Sequence, residues 1–219
     1  MTLPLFDPAP QPPEPLDDGA MLLRGFAAGQ EQWWVAAVQA AVAQAPFRCM
    51  QTPRGAMSVA MSNCGDWGWV ASAAGYGYRR TDPLSGQPWP VMPDFLRAQA
   101  VLAAETAGYA GFAPDACLIN RYAVGAKMGL HRDEDEADRG APIVSVSLGL
   151  PCTFLWGGLR RQDAVRRLLL QHGDVLVWGG ATRLVHHGVN ALKSGQHHLL
   201  GAERWNLTFR MARARYPRA

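Results

Sequence analysis

The chain contains no run of about eighteen apolar residues, so no segment is long enough to cross a bilayer as a helix. Its N-terminus carries prolines and acids where a secretory leader would carry a basic patch and then an apolar stretch. The expectation is a cytoplasmic protein with no membrane partner. Cysteine is sparse as well. Cys49, Cys64, Cys117 and Cys152 stand far apart, without the short paired spacing of a zinc knuckle or a redox motif. They are read as reduced, mostly buried thiols. Charge is modest: 18% of residues are charged and the formal net charge is +3, which permits a polyanionic partner without requiring one.

What is present is enough apolar material, 48% of 219 residues, for one globular domain with a large core. Six prolines between Pro4 and Pro15 make residues 1–20 an extended, poorly ordered arm outside any active site. Apolar stripes predict two amphipathic helices, at about 30–45 (Trp34, Val38, Ala41, Val42) and about 94–107, the second opened by Pro93 and stopped by Gly108. They should brace one side of a sheet. From Cys117 the pattern changes to short apolar runs, 118–122, 143–150, 153–156, 167–171, 175–178 and 204–210, broken by Gly, Pro, Asp or Asn. Strands at that spacing without intervening helices predict a mainly β, α+β protein built on an antiparallel sandwich or jelly roll. The Gly-, Trp- and Tyr-rich stretch with Trp67, Trp69, Tyr76 and Tyr78 fits neither period and reads as a lid of hairpins and loops. The partition is thus an arm at 1–20, one domain at 21–212 with a lid at about 45–90 and a core at about 114–212, and a basic tail at 213–219. Arg160, Arg161, Arg166 and Arg167 cluster, as do Arg213, Arg215 and Arg218. Such clusters are first of all solvated faces.

Chemistry concentrates in two places. His131 and Asp133, two apart, share a face if the chain is extended there. A third ligand must come from a distant segment, and His186-His187-Gly188 follows the 175–178 strand. His187 is preferred because the next glycine lets the backbone turn closely; His186 competes. Two imidazoles and a carboxylate occupy one face of an octahedral iron(II) and leave positions open, although zinc accepts the same set. His172, His197 and His198 lack such partners. The second place is the strict alternation of 204–210, which puts Arg204, Asn206, Thr208 and Arg210 on one face and Trp205, Leu207 and Phe209 on the other. An exposed strand would show the same period, yet Asn120 and Tyr122 share a parity on another strand and can serve one pocket. Arginine grips a carboxylate through two parallel hydrogen bonds and never loses its charge. A keto-diacid that chelates iron at one end and is held by arginine at the other is 2-oxoglutarate.

Four segments, Asn120-Arg121-Tyr122, the run Leu130 to Glu136, His187-Gly188 and Arg204 to Arg210, together resemble the AlkB family of iron(II)- and 2-oxoglutarate-dependent nucleic-acid dealkylases. The likeness extends from about Leu22 to Arg210 and includes 114–120 and 143–150. It implies a double-stranded β-helix core with an N-terminal helical support and a nucleotide-recognition lid. It implies iron(II) on His131, Asp133 and His187, with 2-oxoglutarate among Asn120, Tyr122, Arg204, Asn206, Thr208 and Arg210. Arg204 and Tyr122 would then take the distal carboxylate, and Arg210 would serve the catalytic, metal end. On the substrate side it implies Trp69 against one face of a damaged base, His131 on the other and Asp135 at its edge. Tyr76 and Arg161 would contact the backbone, and Tyr78 is counted with them. The implied reaction removes methyl groups from N1-methyladenine and N3-methylcytosine in single- or double-stranded DNA, RNA being left open: 2-oxoglutarate and oxygen yield succinate and carbon dioxide, and the hydroxylated methyl group leaves as formaldehyde. The implied working form is a monomer without an obligate protein partner.

Glu134 stands where the family pattern has a basic residue and His186 where it has an aromatic neighbour, and Trp205 and the basic tail differ in detail. They leave lesion and strand preference open. The competing readings are an oxygenase acting on a protein or small molecule, and a non-catalytic module that binds single strands.

Overall fold

A computed structural model describes residues 12–52, 55–73 and 75–217. Strands β1 (Glu14–Asp17) and β2 (Ala20–Leu23) lead into helix α1 (Glu31–Gln44). Next come β3 (Arg48–Thr52), β4 (Gly55–Gly65), the hairpin β5 (Gly68–Ser72) and β6 (Gly75–Arg79), and helix α2 (Asp94–Thr106). The rest is β7 (Ala116–Ala123), β8 (Met128–His131), β9 (Ile143–Gly149), β10 (Cys152–Trp156), β11 (Arg166–Leu170), β12 (Val175–Trp178), β13 (His187–Val189) and β14 (Glu203–Arg210). An eight-stranded sheet has the order β1-β2-β12-β9-β14-β7-β4-β3 and a four-stranded sheet the order β11-β10-β13-β8; β5 and β6 pair apart from both. Consecutive strands thus cross between layers, as in a jelly roll. No helix among the described residues is long and apolar enough to cross a membrane.

Helix α1 buries Trp34, Val38 and Ala41, a spacing that keeps them on one stripe, and α2 buries Leu96, Ala100, Ala103 and Ala104. Trp34 meets Phe95 edge-on at 5.3 Å, which locks the two helices together on one face of the large sheet. Trp205, Leu207 and Phe209 of β14 belong to that same core with Cys117, Ile119, Val144 and Val146. A second core, with Leu118, Ile143 and Trp178 from the large sheet and Phe154, Trp156 and Val189 from the small one, fills the space between the sheets. The alternate residues of β14 must therefore enter that inter-sheet space, and Arg204, Asn206, Thr208 and Arg210 are all buried. A polar row sealed inside a sandwich costs stability unless it is partnered, so the simple exposed-face reading of this strand does not hold.

The expected helices and late strands fall where the periodicity puts them. Two departures concern the first half. Residues 1–11 of the arm lie outside the described residues, but β1 pairs with β2 and β2 with β12, so the chain is already part of the large sheet by Glu14. The lid segment also contributes more than loops, because β4 pairs with β7 from Ala60 to Gly65 and extends the large sheet. Its second half is buried on both faces, which removes the period-two signal.

Gly149 closes β9 at φ +87, where a Cβ would stand 2.5 Å from the Glu203 carbonyl, so only glycine fits opposite Arg204. Its N–H donates to Nδ1 of His172 at 2.8 Å, which requires that nitrogen to be unprotonated. Burial, then the nearby His197, pushes the His172 pKa below its ordinary 6.5, and His197 is lowered in the same direction by burial and His198. Below about pH 6.5 the unfolded chain takes up protons that these native imidazoles refuse, so stability falls as pH falls. Melting temperature should drop between neutral pH and pH about 5.5, and His172→Asn, which keeps an acceptor for Gly149, should flatten part of that slope. An identical pH dependence in the variant would remove His172 from this role.

Candidate active site

His131 ends β8 and His187 opens β13, and the two are register partners across the small sheet, with ring centroids 4.4 Å apart. This close approach depends on Gly188, where a Cβ would meet the Met128 carbonyl at 2.7 Å. Asp133 follows His131 outside the strand, so it reaches the site through an irregular turn and not through strand alternation. Its carboxylate lies 3.7 Å from His131 Nε2 and 3.9 Å from His187 Nε2. One ligand atom from each of the three lies within 4.8 Å of the others, close enough to hold a single metal ion. His186 does not converge with them; its Nδ1 sits 3.2 Å from the Gly158 carbonyl.

Each imidazole of the trio is oriented by its other nitrogen. His131 Nδ1 lies 2.9 Å from the Gly129 carbonyl and His187 Nδ1 lies 3.1 Å from the Val185 carbonyl. Both Nδ1 atoms therefore donate, which turns each Nε2 toward Asp133. Burial, and then the neighbouring His131, lowers the His187 pKa to about 4, so this ring is neutral at ordinary pH. Phe154 stacks on it and Trp178 meets it edge-on, forming the dry wall of the site. Burial alone would raise the Asp133 carboxyl, but Arg210, His187 and His131 outweigh it and hold Asp133 well below the usual carboxylate range. Arg210 donates to Asp133 Oδ2 from Nη2 at 2.6 Å and from Nε at 3.1 Å.

The trio lines a cavity of about 960 Å³ between the sheets and the β5–β6 hairpin. Asn120, Tyr122, Asn206, Thr208 and Arg210 line the same cavity, brought together because β7 and β9 flank β14 with Asn206 opposite both Asn120 and Ser147. Arg204 lies behind this wall. Its guanidinium stands 5.0 Å from the centre of the Tyr122 ring, and only Nη2 is engaged, donating to Ser147 Oγ at 3.0 Å. Its Nε and Nη1 are buried without partners, as is Asn120 Oδ1. Leaving such groups unpaired costs about 1–3 kcal/mol each, and an anion accepting from the two Arg204 nitrogens would recover their share. Burial pushes the Tyr122 phenol up to about 12 despite the opposing pull of Arg204, so Tyr122 is a neutral hydrogen-bond donor.

At the mouth, Trp69 donates from Nε1 to Asp135 Oδ2 at 2.7 Å and stacks on Tyr76 with centroids 5.6 Å apart. Both aromatics, Asp135 and Arg161 line the cavity. Tyr78 corrects the expectation: it is buried, its hydroxyl donates to Glu136 Oε1 at 2.6 Å, and it does not line the cavity. It supports the hairpin from beneath. Glu134 is turned to Arg132, which donates to it from Nε at 2.8 Å.

The sequence pattern of the 2OG-Fe(II) oxygenase superfamily matches residues 19–210. The chain is 53% identical over 211 residues to the alpha-ketoglutarate-dependent dioxygenase AlkB of Escherichia coli strain K12, covering 96% of this chain and 98% of that one. It is 54% identical over 200 residues to the AlkB of Salmonella typhimurium strain LT2, covering 91% and 93%. The chain belongs to the AlkB family. It is thus an iron(II)- and 2-oxoglutarate-dependent dioxygenase, with oxygen as the other co-substrate, and iron prevails over the zinc alternative. The solved structure of OsALKBH1 superposes with a TM-score of 0.80 at 28% identity, over 91% of this chain and 99% of that one, consistent with the jelly-roll core.

Two further side chains, Glu136 and Arg183, complete this site. Glu136 is buried and takes Arg183 Nη2 at 2.9 Å, Tyr78 and, at 3.3 Å, Arg210 Nε. Arg183 also donates to the carbonyls of Ala141 and Asp133, at 2.9 and 2.8 Å. The pair fixes the irregular turn that carries Asp133. In sequence Glu136 is one of four consecutive acids, and no period separates the buried one from its exposed neighbours.

Proposed function

We propose that this AlkB-family chain removes methyl groups from ring nitrogens of nucleic-acid bases, with N1-methyladenine and N3-methylcytosine in DNA as substrates and RNA as a further class. The observation that carries the reading is a single cavity with a three-donor metal site at its floor and an indole–carboxylate pair, Trp69 and Asp135, at its mouth. A base inside a duplex cannot reach the floor, so the nucleotide must be everted, and an aromatic slot compensates for its lost stacking. Methylation at these nitrogens makes the base cationic, so an electron-rich indole beside a carboxylate favours damaged over intact bases. Breaking its pairing also lowers the cost of eversion.

The donor set fits iron(II): two imidazole Nε2 atoms and a carboxylate, oriented by backbone carbonyls and by Arg210. The buried, partnerless nitrogens of Arg204 beside Tyr122 fit the distal carboxylate of 2-oxoglutarate, and Asn120, Asn206 and Thr208 line the path between. When bound, iron with 2-oxoglutarate and oxygen supplies the oxidising power that places a hydroxyl on the methyl carbon. Arg210 holds the Asp133 carboxylate in one orientation and balances its charge. Phe154 and Trp178 exclude water from the His187 side. Hydroxylation makes departure feasible: the N–CH2OH group loses formaldehyde and the ring nitrogen regains its neutral form, with succinate and carbon dioxide as the other products. A single chain carries all of these groups, which supports a working monomer.

Incubation with iron, ascorbate, 2-oxoglutarate and a methylated single-stranded oligonucleotide should release formaldehyde and succinate in equal amounts. Turnover of no methylated base would end this reading, and succinate production indifferent to oligonucleotide would favour a protein or small-molecule substrate. Asp135→Ala should alter the ratio of rates on methyladenine and methylcytosine several-fold while iron binding stays intact. An unchanged lesion profile would displace Asp135 from the base edge.

A further inference from the structure

We propose that Arg80 and Arg213, gathered around Trp67 at the base of the β5–β6 hairpin, form a second subsite that holds the phosphodiester backbone flanking the everted base. The inference rests on the nucleic-acid reading above and adds a place outside the catalytic cavity. Trp67 immediately precedes β5 and Arg80 immediately follows β6, and the two meet with the Arg80 guanidinium 4.7 Å from the indole centre. The Arg213 guanidinium, from the segment after β14, stands 5.6 Å from the same ring. Trp67 is two residues from Trp69 and packs on the same small cluster of Tyr78, Ala116 and Ala212, so this group adjoins the aromatic slot of the cavity.

The site is held in place from behind by one residue. The Asp115 carboxylate accepts from the N–H groups of Ala212, Arg213 and Ala214 at 2.5, 3.0 and 2.8 Å. The Asp115 carbonyl accepts from the Trp67 N–H at 3.2 Å. Trp67 and the backbone of Arg213 are therefore fixed relative to each other before any ligand arrives.

Several exposed arginines elsewhere already have an acidic partner. Arg160 is paired with Asp163, Arg166 with Asp17 and Arg132 with Glu134. None of the ion pairs among the described residues takes Arg79, Arg80, Arg213 or Arg215, all of which are exposed. Two guanidiniums beside one indole, neither in an ion pair among the described residues, concentrate positive charge here, and the N–H edges of each can take one phosphate of a passing strand. A phosphodiester suits such edges, and stacking with cationic flanks is a sequence-independent way to hold a single strand. Asp138 lines the adjoining cleft with Arg213 and Arg215, accepts from the Tyr216 N–H and is engaged in the fold.

The test compares Arg80→Ala/Arg213→Ala protein with the unaltered chain on methylated oligonucleotides of about five and about fifteen nucleotides, spanning the usual site sizes. Binding of the longer strand should weaken about tenfold at low salt, and the slope of log affinity against log salt should fall by about 1.4, the loss of two single-strand phosphate contacts. Turnover of the shorter strand and the half-saturating 2-oxoglutarate concentration should not change. Trp67→Leu should reproduce part of the loss. Retention of long-strand affinity and salt slope by the double variant would overturn the subsite and leave the dealkylase reading standing. Equal losses on both lengths would also overturn it, placing the arginines in the fold or the catalytic step. Failure of the unaltered chain to turn over either strand would remove the dealkylase reading and this subsite with it.

Discussion

Asp133→Ala protein is expected to bind no stoichiometric iron(II) and to lose turnover by more than about 100-fold, since even outer-shell changes at metal sites cost 10- to 100-fold. The residue does two things at once. Its carboxylate is the one anionic donor facing His131 and His187, and it is the counter-charge to the buried Arg210 guanidinium. Breaking a buried ion pair costs roughly 3–5 kcal/mol when nothing replaces the partner. Here Glu136 remains 3.3 Å from Arg210 Nε, so the loss of stability should be smaller and the protein should still fold. Metal analysis alongside thermal melting separates the two effects. Ordinary turnover by a folded Asp133→Ala protein would show that the metal is held elsewhere.

Arg204→Ala is expected to raise the 2-oxoglutarate concentration for half-saturation by about 30- to 5000-fold, the equivalent of losing one partner of a buried charged hydrogen bond worth roughly 2–5 kcal/mol. At saturating co-substrate the rate should recover most of the way, because Arg204 touches neither His131, Asp133 nor His187. Arg204→Lys should fall between the two, keeping the charge and losing the two-pronged grip. The expectation follows from two guanidinium nitrogens that are buried, partnerless and adjacent to Tyr122. A purely structural Arg204 would instead lower stability with no change in 2-oxoglutarate dependence.

Much of this site could be read from sequence because β14 alternates without interruption: one face packs on the helices and the other enters the inter-sheet space, so parity alone groups Arg204, Asn206, Thr208 and Arg210. The partners Asn120 and Tyr122 follow from the same rule on β7. Parity served less well for Asp133, which reaches His131 through a turn after β8 ends. Glu136 and Arg183 were invisible for that reason, since an irregular segment has no period to show which acid faces inward. Tyr78 shares its parity with Tyr76, yet the hairpin base is covered by Trp67 and Trp69, so one tyrosine is buried and the other exposed. The long strand β4 shows no alternation because its second half is buried on both faces.

The central claim is that one ferrous ion and one molecule of 2-oxoglutarate lie in contact inside the inter-sheet cavity. Anaerobic equilibrium dialysis of metal-free protein tests it most directly, measuring iron(II) and 2-oxoglutarate binding separately and then together. One of each should bind per chain, and each should tighten the other, because the keto-acid end chelates the metal while Arg204 holds the far carboxylate. Affinity for 2-oxoglutarate that is the same with and without iron would contradict the arrangement.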